Sequence, residues 1–167
     1  MTNLVMSYDL QNLSFAPYSA VLIILFDIDG TLSNPKHRLH FIQGAKKDWP
    51  AFYSAAADDP VNVPMLFIYS ALKQNCHPVF VTGRPESIRK ATEAWLRKNF
   101  VTDDAPIDLF MRKDGDYRPD FMLKQDVLKA LRKAGYAPLA AIEDRQQVVA
   151  MYRREGLLCL QCADGNY

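Results

Sequence analysis

The stretch from Leu22 to Leu32, which reads LIILFDIDGTL, constrains the fold more than any other part of the chain. Its apolar residues are strand formers, and the run ends abruptly in Asp27 and Asp29. A short apolar run bounded by turn-forming residues is typical of a strand that is buried on both faces of a parallel sheet. The pattern predicts an α/β fold in which Asp27 lies at the carboxyl end of the first strand, where open sheets bind their ligands.

The two carboxylates are separated by one residue, and this spacing indicates a cation site. Acids held this close repel each other unless a cation or a shared proton relieves the repulsion. Carboxylate oxygens suit Mg²⁺, and Gly30 allows the backbone to turn sharply after Asp29. A solvated turn at a strand end is the plainer interpretation, but it is commoner for Asp-Gly alone than for the whole D-x-D-G-T-L pattern.

Length and composition limit the classes of function. A chain of 167 residues is the size of one domain and can bury a substantial core. Charged residues make up 23% of the chain and leave a net charge of +1, so any contact with nucleic acid must come from a local basic cluster. The odd count of three cysteines and the lack of a secretory signal predict a reducing, cytoplasmic location without a membrane partner.

The order of the elements predicts the domain organisation. Residues 1–19 are expected to be a leader that is poorly ordered or packed on the surface, and residues 20–167 the folded domain. Within it, residues 33–76 are expected to contain a small helical cap insert. Later strands are predicted at 77–81, 107–111, 139–142 and 157–160. Helices between them predict a parallel, doubly wound sheet with right-handed crossovers.

The ends of the later strands carry polar side chains that suit a phosphate group. Thr82, Gly83 and Arg84 provide a hydroxyl, an open backbone N–H and a guanidinium, followed by a predicted helix N-terminus. Lys124 falls in the first turn of another predicted helix, where the helix dipole disfavours a cation. That position is explained if Lys124 points at a phosphate or at Asp27; the alternative is a solvated lysine.

Glu143 and Asp144 end the fourth predicted strand and complete a recurring order of polar strand ends. That order resembles the four motifs of the haloacid dehalogenase phosphatase superfamily. The resemblance covers most of residues 21–167. It implies a three-layer Rossmann-like parallel sheet of the haloacid dehalogenase type, with a small cap insert after the first strand.

A closer similarity is to the phosphatase half of phage polynucleotide kinase/phosphatases. It rests on DIDGTL with Arg38 beyond it, on VTGR, on the segment from Arg112 through Arg118 and Asp120 to Lys124, and on the tail AIEDRQQVVAMYRREGLLCLQ. The chain departs from that pattern at Glu143, where the family usually has Asp. It also lacks the P-loop signature of the kinase half, so a separate polynucleotide kinase or ligase is an expected partner.

The resemblance implies a mechanism and a cofactor. Asp27 would be the nucleophile and Asp29 the general acid and base. Mg²⁺ would be held by Asp27, the Asp29 carbonyl and Asp144, with Glu143 a less certain ligand because its side chain is longer. The remaining implied residues contact substrate: Thr82, Gly83 and Lys124 at the phosphate oxygens, Arg38, Arg84, Arg112 and Arg118 at the phosphate or flanking nucleotides, and Asp120 orienting one arginine.

Three functions are compatible with the sequence. The first is a phosphatase that removes 3′-phosphates from nucleic-acid ends during repair, and a small cap that leaves the site open favours it. The second is a phosphatase of nucleotides or other small phosphomonoesters, because one fold serves many substrates. The third, a non-enzymatic binding module, is disfavoured because Asp27, Asp29 and Lys124 are all present.

Overall fold

A computed structural model describes residues 21–101 and 104–165. The leader predicted for residues 1–19 lies outside the described residues. Among the described residues, no helix is both long and apolar enough to cross a membrane.

A parallel five-stranded sheet forms the centre of the molecule, in the order β3-β2-β1-β4-β5. The strands are β1 Ile23–Phe26, β2 His77–Pro85, β3 Leu109–Arg112, β4 Pro138–Glu143 and β5 Leu158–Gln161. All four residues of β1 are buried, as predicted for a central strand. The chain order reverses between β1 and β4, so the crevice beyond their carboxyl ends is the position where such sheets bind ligands.

Helices cover both faces of the sheet. They are α1 Trp49–Ser54, α2 Val63–Leu72, α3 Arg89–Asn99, α4 Asp120–Lys133 and α5 Gln146–Arg154, with 3₁₀ turns at Pro35–Phe41, Ala55–Asp58 and Glu86–Ile88. Alternate side chains of β1 point to opposite faces. Ile23 and Leu25 join a core cluster with α4 and α5, whereas Ile24 and Phe26 join one with α2 and α3. The α/β, parallel-sheet prediction is confirmed.

The segment 33–76 divides into two parts with different packing. Helix α2 packs on the sheet, where the ring of Tyr69 contacts Phe26 and Phe80 at centroid distances of 5.4 and 6.0 Å. It therefore serves as the crossover between β1 and β2. The earlier part, which contains α1, contributes side chains to the cavity described below. We therefore propose that only this earlier part acts as the cap.

Strands β3, β4 and β5 differ from their predicted bounds by one or two residues, and the largest difference is at the end of β2. The strand predicted to end at residue 81 continues to Pro85, which pairs with Arg112 after a register shift. The next α-helix begins only at Arg89, because Pro85 is extended (φ −73°, ψ 155°) and a 3₁₀ turn intervenes. The expected helix N-terminus directly after Thr82-Gly83-Arg84 was therefore wrong.

Candidate active site

Asp27 and Lys124 form a buried ion pair at the carboxyl end of β1. The backbone N–H of Asp27 donates to the Ile142 carbonyl at 3.1 Å, which fixes the residue beside the end of β4. Lys124 is the fifth residue of α4, just beyond its first turn. It donates from Nζ to Asp27 Oδ1 at 2.6 Å and to Glu143 Oε2 at 2.7 Å. It also pairs with Asp120 Oδ2 at 3.1 Å. These three carboxylates explain why a lysine stands where the helix dipole disfavours it.

One lysine does not compensate the carboxylates of this cluster. Burial and the neighbouring Glu143 raise the pKa of Asp27 to about 8, although Lys124 acts in the opposite direction. Burial likewise raises the pKa of Glu143 to about 7, against the effect of Lys124. Burial alone would lower the pKa of Lys124, but the surrounding carboxylates, Asp120 first, raise it well above its usual value. The cluster therefore favours the addition of positive charge.

A divalent cation fits the donor atoms of this cluster. Asp27, Glu143 and Asp144 are buried and each offers a carboxylate oxygen within 4.8 Å of the others. Within the described residues, Oδ2 of Asp27 is buried without a hydrogen-bond partner. A buried carboxylate oxygen without a donor is unfavourable unless a cation or solvent contacts it. Hard oxygen donors of this kind suit Mg²⁺.

Glu143, the first of the two adjacent acids at the end of β4, is held by the protein through both of its carboxylate oxygens. Oε1 of Glu143 accepts the backbone N–H groups of Asp144 and Arg145, both at 3.1 Å, and Oε2 accepts from Lys124. Both oxygens of Glu143 are therefore engaged by the protein. This supports the prediction that Asp144 is the stronger metal ligand of the two, which stays a prediction.

Asp29 lies in a second buried network, which contains two arginines. Arg38 Nη2 donates to Asp29 Oδ1 at 2.7 Å, and Arg84 donates to the same atom from Nη2 at 2.6 Å and from Nε at 2.9 Å. Asp59 closes the network by accepting from Arg38 Nε at 2.6 Å and from Arg84 Nη2 at 2.8 Å. The side chains of both arginines are fully buried. Two carboxylates thus balance two guanidiniums.

This balance determines the charge of Asp29. Burial alone would raise its pKa, but Arg84 and Arg38 outweigh that effect and lower the pKa to about 2. Asp29 is therefore ionised at neutral pH in the substrate-free protein. Asp29 also lines the cavity, whereas neither arginine does. We therefore propose that Arg38 and Arg84 hold Asp29 in place, rather than touch a substrate phosphate as the resemblance implied.

Thr82 and Gly83 lie at the extended end of β2. The Oγ1 atom of buried Thr82 accepts the backbone N–H of Arg84 at 3.2 Å. Gly83 lines the cavity, and a Cβ atom added there would lie 2.5 Å from Asp120 Oδ1 and 3.6 Å from Arg112 Nη2. Glycine is therefore required for the close approach of this backbone to Asp120 and Arg112.

Arg112 joins three parts of the cavity wall. Its Nε donates to the Gly83 carbonyl at 3.1 Å, and its Nη1 donates to the carbonyls of Asp116 and Arg118 at 3.1 and 2.7 Å. Its Nη2 donates to Asp120 Oδ1 at 3.3 Å. The expectation that Asp120 orients an arginine thus corresponds to an observed contact. Every donor nitrogen of Arg112 is used within the protein.

Arg118 is also held by carboxylates. It pairs with Asp116 at 2.9 Å and with Asp126 at 3.0 Å, and about a third of its side chain is exposed. Its hydrogen bonds to Asp116 raise its pKa. Arg118 therefore contributes a partly compensated positive charge at the cavity rather than a free one.

These residues surround a cavity of about 650 Å³ with Asp27 and Asp29 in its lining. Of the predicted substrate contacts, Gly83, Arg112, Arg118 and Asp120 also line it, whereas Thr82 and Lys124 lie buried behind. The sequence interpretation missed Asp59, Arg145 and an aromatic wall formed by Trp49, Phe52 and Tyr53. Two buried arginines need acidic partners, so the sequence could have indicated that a further acid lies near Arg38 and Arg84. No sequence pattern identified that acid as Asp59.

Comparisons with known proteins agree with this arrangement. The model of the family described as the polynucleotide kinase PNKP phosphatase domain matches residues 21–167. A protein of Autographa californica nuclear polyhedrosis virus, described as a bifunctional polynucleotide kinase/RNA ligase, is 29% identical over 133 residues, which are 78% of this chain and 17% of the relative. The chain thus spans about a sixth of the length of that curated relative.

Solved structures show the same fold. A chain of the Pnkp1/Rnl/Hen1 RNA repair complex is similar with a TM-score of 0.71 and 28% identity, over 96% of this chain and 48% of that chain. A haloacid dehalogenase-like hydrolase from Streptococcus pneumoniae has a TM-score of 0.56 and 14% identity, over 84% of both chains, and shows the fold alone. Since the family match runs through every strand of the sheet and both acidic clusters, the chain belongs to the polynucleotide kinase PNKP phosphatase-domain family and is a haloacid dehalogenase-type phosphatase.

Proposed function

We propose that this phosphatase removes 3′-phosphates from nucleic-acid ends through a phosphorylated Asp27. The observation that carries the proposal is the position of Asp27, together with Asp29 and two arginines, Arg118 and Arg145, in the lining of one cavity. Lys124 holds Oδ1 of Asp27 at 2.6 Å, which fixes the direction of the nucleophilic carboxylate. The family match and the likeness to a chain of an RNA repair complex support a nucleic-acid substrate.

The reaction has two steps. In the first, the carboxylate of Asp27 attacks phosphorus, the bond to the ester oxygen breaks, and Asp29 delivers a proton to that leaving oxygen. In the second, Asp29 takes a proton from a water molecule that attacks the phosphorus. This step releases inorganic phosphate and restores the Asp27 carboxylate. The backbone of Gly83 supports the phosphate oxygens from the cavity wall. Thr82 and Lys124 act from behind that wall, Lys124 by holding Asp27 and Thr82 by holding the Arg84 backbone.

The low pKa of Asp29 constrains where the first proton comes from. An ionised Asp29 suits the second step, in which it accepts a proton, but it must gain one before the first step. The negative charge of a bound phosphate raises the pKa of a nearby carboxylate, and a phosphomonoester monoanion carries a proton that Asp29 can accept. We infer that the proton enters the site with the substrate.

Asp27, the Asp29 carbonyl and Asp144 would hold Mg²⁺, with Glu143 adjusting their charge and position. When bound, the ion would offset the negative charge shared by the nucleophile, the phosphate and the acid. The excess of carboxylates over lysine at this end of the sheet supports that assignment.

A second candidate is a phosphatase of nucleotides or other small phosphomonoesters. The cavity volume of about 650 Å³ favours it, because pockets of 300–1,000 Å³ suit small ligands. Against it, Arg118 and Arg145 line the cavity beyond what the phosphate itself needs. Extra guanidiniums are useful where neighbouring phosphodiesters cross the cavity mouth.

Turnover on matched substrates tests the proposal. We expect a higher kcat/KM for a 3′-phosphorylated oligonucleotide than for a 5′-phosphorylated one or for the 3′-mononucleotide. Because phosphate contacts release counterions, the advantage of the polymer should shrink as salt rises. An equal or better mononucleotide at every salt concentration would replace the repair function with a nucleotidase. A polynucleotide kinase or ligase remains the partner we propose for this activity.

A further inference from the structure

We propose that Tyr117 and Trp49 stack on the unpaired bases next to the 3′-phosphate, so that the enzyme selects single-stranded or frayed ends. The inference deepens the proposed nucleic-acid substrate and rests on it. It is carried by two aromatic side chains that line the cavity and that the interior does not absorb.

Tyr117 is presented to solvent by a loop that is itself well anchored. The residue is 95% exposed, although its neighbours Asp116 and Arg118 are both fixed through their carbonyls by Arg112. Arg118 is fixed again by backbone and side-chain hydrogen bonds to the Asp116 carboxylate. Because the flanking backbone is already anchored, a ligand that contacts this ring at the cavity has only the Tyr117 side chain left to order.

Trp49 provides an aromatic surface on α1. Its ring stacks on Tyr53 with centroids 5.7 Å apart and an interplanar angle of 24°, and it meets Phe52 edge-on at 5.7 Å. The side chain of Asp48 caps the helix by accepting the Ala51 N–H at 3.0 Å. Trp49 nevertheless remains 41% exposed. The packing thus fixes the ring, and Lys47 Nζ lies over it at 5.5 Å from the centroid. A base that stacks on Trp49 would therefore share or displace that cation.

The chemistry of these surfaces fits a nucleobase. Every base has a π-face that stacks on tyrosine or tryptophan, and this contact does not depend on base identity. Arg112, Arg118 and Arg145 line the same cavity, so cations for the adjoining phosphates lie beside the rings. A base within a duplex is already stacked on its neighbours. The arrangement therefore favours ends whose last bases are unpaired.

The test compares two 3′-phosphorylated single strands that differ only in the base of the terminal nucleotide: one normal, one abasic. Stacking contributes about 1–3 kcal/mol per base, or about five- to a hundredfold. Tyr117→Ala should therefore reduce the ratio of kcat/KM on the normal end to that on the abasic end by about fivefold or more. Tyr117→Phe should preserve the ratio, since the ring is what contacts the base. Trp49→Leu should also reduce it.

Phe67→Ala is the matched control, because Phe67 is a 72% exposed aromatic on α2 that does not line the cavity. It should leave the ratio unchanged. Equal losses on normal and abasic ends in Tyr117→Ala would assign the ring a purely structural role and overturn the inference. An unchanged ratio in both Tyr117→Ala and Trp49→Leu would overturn it as well.

Binding separates this inference from the proposed function. Affinity for the same two strands can be measured by fluorescence anisotropy in an Asp27→Asn background, in which the phosphate is not transferred. A preference for the normal end that disappears with Tyr117→Ala supports stacking even if the wild-type protein hydrolyses no 3′-end, which would defeat the proposed function alone. No such preference, in a protein that does hydrolyse 3′-ends, would defeat stacking alone.

Discussion

This site contains two buried clusters of charged side chains, one around Lys124 and one around Asp59. They differ in how far their positive and negative charges balance. Around Lys124, three carboxylates share one ammonium, and the pKa values of Asp27 and Glu143 rise. Around Asp59, two carboxylates meet two guanidiniums, and the pKa of Asp29 falls. We propose that a cation completes the first cluster. In the second, the charges of the carboxylates and guanidiniums balance, although, within the part of the chain that the structure describes, Arg84 Nη1 is buried without a hydrogen-bond partner.

The difference separates the residues that would react with the substrate from those that hold a reacting residue in place. A buried carboxylate whose negative charge is only partly balanced by neighbouring cations is suited to binding a metal and to attacking phosphorus. A carboxylate whose charge is balanced by two arginines is held in one orientation. Such a group is suited to transferring a proton to or from one particular atom. The following changes would break or sharpen this contrast.

The largest expected effect is the loss of the nucleophile. Asp27→Asn keeps the shape of the side chain but removes its nucleophilic charge, so phosphatase activity should fall by several orders of magnitude. The measurement is kcat/KM on a 3′-phosphorylated oligonucleotide with Mg²⁺, and the wild-type protein in EDTA should lose activity to a comparable degree. Substantial turnover in the variant, or full activity of the wild type in EDTA, would contradict the mechanism.

The second expected effect breaks the balanced cluster. Asp59→Ala leaves Arg38 and Arg84 buried with one carboxylate between them, and removal of one partner from a buried ion pair costs about 3–5 kcal/mol of folding free energy. Chemical denaturation should show this loss, and activity should fall with it because Asp29 is no longer held. Asp58→Ala is the matched control, since the adjacent Asp58 is exposed. Equal stability of the two variants would mean that Asp59 is dispensable.

The sequence predicted the cluster around Lys124 better than the cluster around Asp59. Asp27, Lys124, Glu143 and Asp144 stand at strand ends or the start of a helix, and parallel topology brings such positions to one edge. Asp59 lies between a 3₁₀ turn and Pro60 in the irregular segment after β1. No periodicity relates that position to Arg38 or Arg84. Its partners depend on how a loop closes, which local patterns do not encode.

The aromatic wall escaped prediction for a similar reason. Trp49 and Tyr53 read as an amphipathic segment between prolines, and only the packing of α1 shows that they line the cavity. The boundary of β2 was missed because strand pairing with β3 extended Thr82-Gly83-Arg84 where the sequence suggested a turn. Long-range pairing thus overrode a local signal.

A third prediction concerns the two acids that follow each other at the end of β4. Asp144→Ala should raise the Mg²⁺ concentration for half-maximal activity steeply, because it removes a charge that would contact the ion. Glu143→Ala should do less, roughly ten- to a hundredfold, because both Glu143 oxygens are held by protein donors. Titration of activity and of Mn²⁺ binding by electron paramagnetic resonance would measure both. Equal losses would mean that Glu143 is a direct ligand.

The smallest expected effect is a change of stability with pH that separates the clusters without any substrate. In the metal-free folded protein, the pKa values of Asp27 and Glu143, about 8 and 7, lie above their ordinary values of 3.8 and 4.5. The folded state therefore binds more protons than the unfolded state above pH 4, and the free energy of unfolding should fall as the pH rises towards 8. Asp29, with a pKa of about 2, contributes constant stability across this window.

Denaturation in EDTA at pH 5 and pH 8 measures this change, which we expect to be a lower free energy of unfolding at pH 8. In Asp27→Asn the residue no longer titrates, so the change of stability with pH should become smaller. Mg²⁺ should stabilise the wild-type protein more at pH 8 than at pH 5, because at low pH protons compete for the carboxylates that would hold it. If Asp27→Asn leaves the pH dependence of the unfolding free energy unchanged, Asp27 is not one of the groups that cause it. The proposed difference between the two clusters would then be wrong.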